Sequence, residues 1–139
     1  MRGRGTRKRL LPTPEVRLIP RVRAFEARGA SLKYPSRSRS GVRADDGAVI
    51  LAIRARDLRR HGRGSRCVVW KPDEAQAALD PASRDELLEH CRLAALRGHA
   101  EGLLTYGEGA QVDPDVVLPL RVVRRGEEYW AELGAPSGA

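Results

Sequence analysis

The chain has 139 residues, 41% hydrophobic and 32% charged, with 26 Lys or Arg against 18 Asp or Glu and a formal charge of +8. That is one ordinary domain with room for one core and not for two. No apolar run approaches the roughly 18 residues of a spanning helix, Met1-Arg2-Gly3-Arg4-Gly5 lacks the apolar stretch of a secretory signal, and Cys67 and Cys91 are too few for a disulfide framework. The expectation is a soluble cytoplasmic chain with no membrane role, although a single Cys67–Cys91 bridge stays open.

The charge is unevenly placed. Residues 1–43 carry 13 basic residues against Glu15 and Glu26, a net of +11, while residues 44–139 carry 13 basic against 16 acidic. Residues 54–71 hold seven basic residues against Asp57, and residues 72–139 hold six against thirteen acidic. The sequence therefore predicts a basic N-terminal segment and a domain with a basic front and an acidic back. Of the 26 basic residues only Lys8, Lys33 and Lys71 are lysines, a skew that coding bias would also produce.

In chain order, residues 1–9 have no apolar residue after Met1 and read as a disordered arm. Pro12, Pro14 and Pro20 interrupt the apolar positions from Leu10 to Leu32, which predicts at best an edge strand near Glu15–Ile19 and a short extended piece near Arg21–Phe25. The Pro35–Gly41 stretch, rich in Ser and Arg, reads as a boundary: 1–40 a basic, largely extended or disordered arm, 41–134 the compact domain, 135–139 a frayed tail. Asp46-Gly47 between Val42 and Ala48–Ile53 predicts a two-residue hairpin. Val49, Leu51 and Ile53 share one face of its second strand and Ile50 and Ala52 the other, which predicts a strand covered on both sides. After it the Arg54–Arg60 stretch leaves the core, His61–Gly64 makes a basic turn, and Cys67–Trp70 forms a third strand.

Asp80-Pro81 is a helix start, with a capping carboxylate and a proline where no donor is missed, and Gly98 is its stop. Leu87, Leu88, Cys91 and Ala95 make its apolar stripe; Leu93 and Leu96 fall outside it and predict contact on a second side. Strands follow at Gly102–Tyr106 and Val116–Val123, the latter with an edge or bulge at Pro119, and Arg125-Gly126 turns the chain into Glu128–Leu133. The fold class expected is α+β: a small, mostly antiparallel sheet with one long helix on a face, preceded by a poorly ordered basic segment.

The donors for a metal site are present in His61, Cys67, His90, Cys91 and His99, but no Cys-x-x-Cys or His-x-x-x-His pair exists, and adjacent His90 and Cys91 diverge by about 100° on a helix. No cofactor or metal is expected. Cys67–His61 and Cys91–His99 lack any nucleophile motif, phosphate-loop glycine patterns are missing, and the paired Asp45-Asp46 reads as a turn former. The sequence thus leans away from an enzyme. What remains is basic: Arg2, Arg4, Arg7, Lys8 and Arg9 in the arm, Arg37 and Arg39 after it, and Arg54, Arg56, Arg59, Arg60, Arg63 and Arg66 on the domain. Those thirteen residues predict a small DNA- or RNA-associated protein that contacts phosphates with little sequence reading. Tyr34, Trp70 and Tyr106 are candidate stacking platforms, while Trp70 and Trp130 more often anchor a core of this size; at 4% aromatic, a base-by-base stacker is not favoured. The competing expectation is a protein-interaction module, an accessory, inhibitor or immunity-type factor that uses the acidic back and proline-exposed strand edges.

Overall fold

A computed structural model describes residues 17–72, 80–107 and 110–133. The elements run β1 (Ile19–Pro20), α1 (Arg21–Ala27), β2 (Ser40–Val42), β3 (Val49–Arg54), a 3-10 turn (Ala55–Asp57), β4 (Arg59–His61), β5 (Gly64–Trp70), α2 (Pro81–Arg97), β6 (Ala100–Tyr106), β7 (Gln111–Arg125) and β8 (Glu128–Leu133). The strands lie in the order β2-β3-β6-β7-β8-β5-β4, with β1 also on β7, and β3–β6 is the parallel pairing in an otherwise antiparallel arrangement. The fold is α+β, as the sequence predicts.

β7 organises it. Its first part pairs with β6 and its last with β8, beginning at Arg121, so one long strand joins the two halves of the sheet. Pro119 pairs with Glu101 just before β8 begins, where β7 has one neighbour fewer and a missing N–H is tolerated. The irregularity lies earlier. Leu103 faces Val117 but Thr105 faces Val112, so Asp113–Val116 bulge out opposite Leu104. β3 and β4 are five strand spacings apart, roughly 24 Å in a flat sheet. The link from Arg54 to Arg59 reaches about 18 Å at most, so the sheet curls.

α2 packs on the inner side of that curl. Leu87, Cys91 and Ala94 join Val49, Leu51 and Ile53 of β3, Cys67 and Trp70 of β5, Leu120 and Val122 of β7, and Tyr129 and Ala131 of β8 in the main core. The predicted ends of α2 hold: the Asp80 carboxylate accepts from the Ser83 amide, and Gly98, at φ +84°, donates its N–H to the Ala94 carbonyl. Leu93 packs against this core, but Leu96 is 81% exposed, so contact on a second side holds for one leucine only. The β7–β8 turn is Gly126-Glu127, with Gly126 at φ +65° in the first position, as a type II′ hairpin demands.

The other side of β3 is covered too, by a second helix that the sequence reading did not anticipate. The extended piece expected near Arg21–Phe25 is helical. Pro20 precedes α1 in an extended conformation (φ −61°, ψ 147°), so the proline sets the helix entry and does not interrupt it. Ala24 and Phe25 bury against Ile50, Leu103 and Val112, with Ala30 and Leu32 completing this smaller core. Of the edge strand expected at Glu15–Ile19, Glu15 lies outside the described residues, Arg17 and Leu18 are not in a strand, and Ile19 begins the short β1 on β7. The β2–β3 loop also differs: Arg43 N donates to Ala48 O, leaving the four residues Ala44–Gly47 in the turn, with the Asp46 carboxylate accepting from Ala48 N. The expected arm at 1–9 and tail at 135–139 lie outside the described residues.

Candidate nucleic-acid interface

β4 was not anticipated as a strand. It pairs with β5 through Arg59–Arg66, Arg60–Ser65 and His61–Gly64, so the predicted basic turn is the tip of a two-stranded ribbon at the sheet edge. Arg59, Arg60, His61 and Arg63 are exposed on it. Charged residues on an edge strand also discourage pairing with another chain, and that alone would justify some of them. The register places one further feature beside the ribbon. Arg59 faces Arg66, Arg66 faces Glu132, and Glu132 faces Arg121, so four charged side chains form one row across β4, β5, β8 and β7. The row spans roughly 14 Å at three strand spacings.

Alternation assigns this row to the outer side of the sheet, because its neighbours Cys67, Ala131 and Val122 belong to the main core. Two residues along, Val68, Trp130 and Val123 form a parallel apolar row. All three are half-buried and none contributes to either core. The Arg66 guanidinium lies 4.9 Å from the Trp130 ring, a cation–π contact, and the indole N–H donates to Glu128 at 2.9 Å. Arg125 occupies Glu132 at 2.9 Å, which leaves the positive charge of Arg59, Arg66 and Arg121 without a carboxylate partner among the described residues. Arg59 Nη1 instead donates to the Arg56 and Leu58 carbonyls, which holds one end of its guanidinium.

The predicted site residues therefore divide. Arg59, Arg60, Arg63 and Arg66 come together on the ribbon; Arg56 is exposed beside it, 3.9 Å from Asp57. Arg37 stands elsewhere, over Tyr34 and 3.8 Å from Asp80. Arg39 and Arg54 leave the sheet on the α1 side, since they share the face of Ala52 and Ile50. Arg2, Arg4, Arg7, Lys8 and Arg9 lie outside the described residues. Of the proposed stacking platforms, Trp70 is buried in the core with its indole N–H on the Arg84 carbonyl, and Tyr106 packs against the same core. Trp130 is the accessible tryptophan. Arg121 and Trp130 escaped the sequence reading because only the strand register, and no local motif, brings them beside Arg59 and Arg66.

Other candidate chemistry is answered by burial. Cys67 and Cys91 are buried free thiols, both pushed up to about 12 by burial, so neither is a thiolate nucleophile near neutral pH. Ser40 Oγ lies 2.7 Å from His90 Nδ1 and Ser38 Oγ donates to Glu86 at 2.7 Å. Both serines are fully buried, however, and these contacts serve to tie β2 and the segment just before it to α2. Among the described residues no cluster of His, Cys, Asp and Glu could hold a metal, and no helix is long and apolar enough to cross a membrane. An open cleft of about 280 Å³ beside Trp70 and Tyr129 is lined by Leu88, Arg92, Arg124 and Glu127, with no convergent catalytic set among the described residues. Comparison of the chain with protein-family models, curated proteins and solved structures finds no match.

Proposed function

We propose that this protein associates with nucleic acid through phosphate contacts made by the outer face of β4, β5, β8 and β7. The observation that carries the reading is the in-register row Arg59, Arg66 and Arg121 alongside the Val68–Trp130–Val123 strip. Guanidinium groups without carboxylate partners are suited to phosphate oxygens, which they meet with two parallel donors. A single accessible tryptophan offers one base a stacking surface, so affinity rests on the backbone and sequence preference is weak. Arg60 and Arg63 extend the positive ribbon, and Arg2, Arg4, Arg7, Lys8 and Arg9 would add phosphate contacts in the same non-specific way.

The test is a fluorescence-anisotropy salt titration of the full chain and of the Arg59→Gln/Arg66→Gln/Arg121→Gln variant against single-stranded and duplex DNA and RNA of equal length. Binding that weakens steeply with salt in the wild type and less steeply in the variant supports the reading. Absence of binding at moderate salt rejects it and turns attention to a protein partner.

A further inference from the structure

A second basic cluster sits away from that row, around the carboxyl end of β3. Ala52 N donates to Arg39 O at 2.9 Å, so Arg39 stands opposite Ala52, and Arg54 follows two residues later on the same face. Arg21, at the first position of α1, is buried and directs its guanidinium onto this corner: Nε donates to the Ser38 carbonyl at 3.0 Å and an NH2 to the Ser36 carbonyl at 3.2 Å. Three guanidinium groups thus converge where β2, β3 and α1 meet. The Arg39 and Arg54 side chains make no hydrogen bond or ion pair with any described residue, and the Arg39 Nε is buried with no acceptor.

That arrangement is costly. A buried donor without an acceptor loses its water and gains nothing, and like charges in a shared, poorly hydrated corner repel. Burial first, then the neighbouring guanidiniums, hold Arg21 and Arg39 below the ordinary arginine value. The contrast with Arg43 at the other end of β2 is informative, for there Glu101 and Asp46 answer the charge. An oxyanion between Arg39 and Arg54 would supply the missing acceptor and relieve the repulsion together.

We propose that Arg39 and Arg54, with Arg21 alongside, form a binding site for a phosphate group, free or as a small phosphate monoester. The site is separate from the outer-face row and does not depend on the nucleic-acid reading. The two unanswered charges of Arg39 and Arg54 suit a dianion, and guanidinium forks match tetrahedral phosphate oxygens better than they match chloride.

The experiment follows thermal unfolding of the full chain as inorganic phosphate, and in a second arm adenosine monophosphate, replaces chloride at constant ionic strength. Wild type should show a rise in Tm that reaches about 4 °C at ten times Kd and then grows with the logarithm of phosphate concentration. Arg39→Met and Arg54→Gln should lose that rise while melting no lower than wild type without phosphate, because each removes a repelling charge. The Arg59→Gln/Arg66→Gln/Arg121→Gln variant should retain it. A stronger response to the nucleotide identifies a monoester ligand, and an equal or weaker one identifies free phosphate. No rise in wild type beyond that in chloride, a rise that survives Arg54→Gln, or one that disappears in the outer-face variant overturns the proposal.

Discussion

Gly102 is the position where a single added carbon should do most damage. It lies on the core side of β6, between Leu51 of β3 and Leu118 of β7 in register. A Cβ built there would stand 2.8 Å from Leu120 Cδ1 and 3.1 Å from Ile53 Cγ1. Carbon atoms prefer about 3.5–4.0 Å, so the shortfall approaches 1 Å against the leucine. Leu120 and Ile53 are buried, 3% and 1% exposed, and neither can swing into solvent. Overpacking of this kind costs about 1–3 kcal/mol, while alanine recovers about 0.4–1 kcal/mol by restricting the unfolded chain. Gly102→Ala should therefore lose about 1–2 kcal/mol net, seen in urea as a lower midpoint with an unchanged slope. Leu120→Ala vacates the colliding methyl, so adding Gly102→Ala to it should cost less than adding it to wild type, a coupling of about 1 kcal/mol. A Gly102→Ala chain as stable as wild type, or two strictly additive changes, would refute the packing argument.

Three other outcomes follow from the same structure. Glu101 accepts from both Arg28 and Arg43, and hydrogen bonds from Arg43, ahead of those from Arg28, hold its carboxyl below the usual range; Glu101→Gln should cost about 1–2 kcal/mol at neutral pH, with the deficit vanishing as acid protonates the wild-type carboxylate. The His90 value is lowered chiefly by burial, with Glu86 and Glu89 opposing and Lys33 adding to the shift. The unfolded chain then takes up the proton first, so stability is complete above the ordinary histidine value and falls as pH drops below it; His90→Asn should flatten that slope in urea melts taken from pH 7.5 to 5.5. The Cys67 and Cys91 thiols should resist a thiol reagent at pH 8 until denaturant is added, and fast labelling of the native chain would contradict their burial.

Local chemistry made much of the sheet and α2 readable. Asp80, Pro81 and Gly98 carry the ends of α2 in their own side chains and backbones, and the two-sided apolar pattern of Val49–Ile53 reports a strand with a helix on each side. α1 was less legible because seven residues after three prolines offer little periodicity, and its stability comes from seating Phe25 against Ile50 and Leu103. β4 consists of Arg59, Arg60 and His61, with no apolar side chain to mark it as a strand; pairing with β5 alone defines it. The candidate interface was half visible for the same reason. Arg59 and Arg66 belong to a cluster evident along the chain, whereas Arg121 and Trp130 join them only through the β7–β8–β5 register. Arg39 and Arg54 look like members of that cluster in sequence, yet strand alternation sends them to the α1 side.

The most direct measurement is the slope of log K against log salt for single-stranded and duplex oligonucleotides, comparing the full chain with Arg59→Gln/Arg66→Gln/Arg121→Gln. Each phosphate contact contributes about 0.7 to the slope on single strands and about 0.9 on duplex, so losing three should flatten it by about 2 or about 3 respectively. A variant matching wild type in both affinity and slope would show that the outer face of β4, β5, β8 and β7 does not meet nucleic acid.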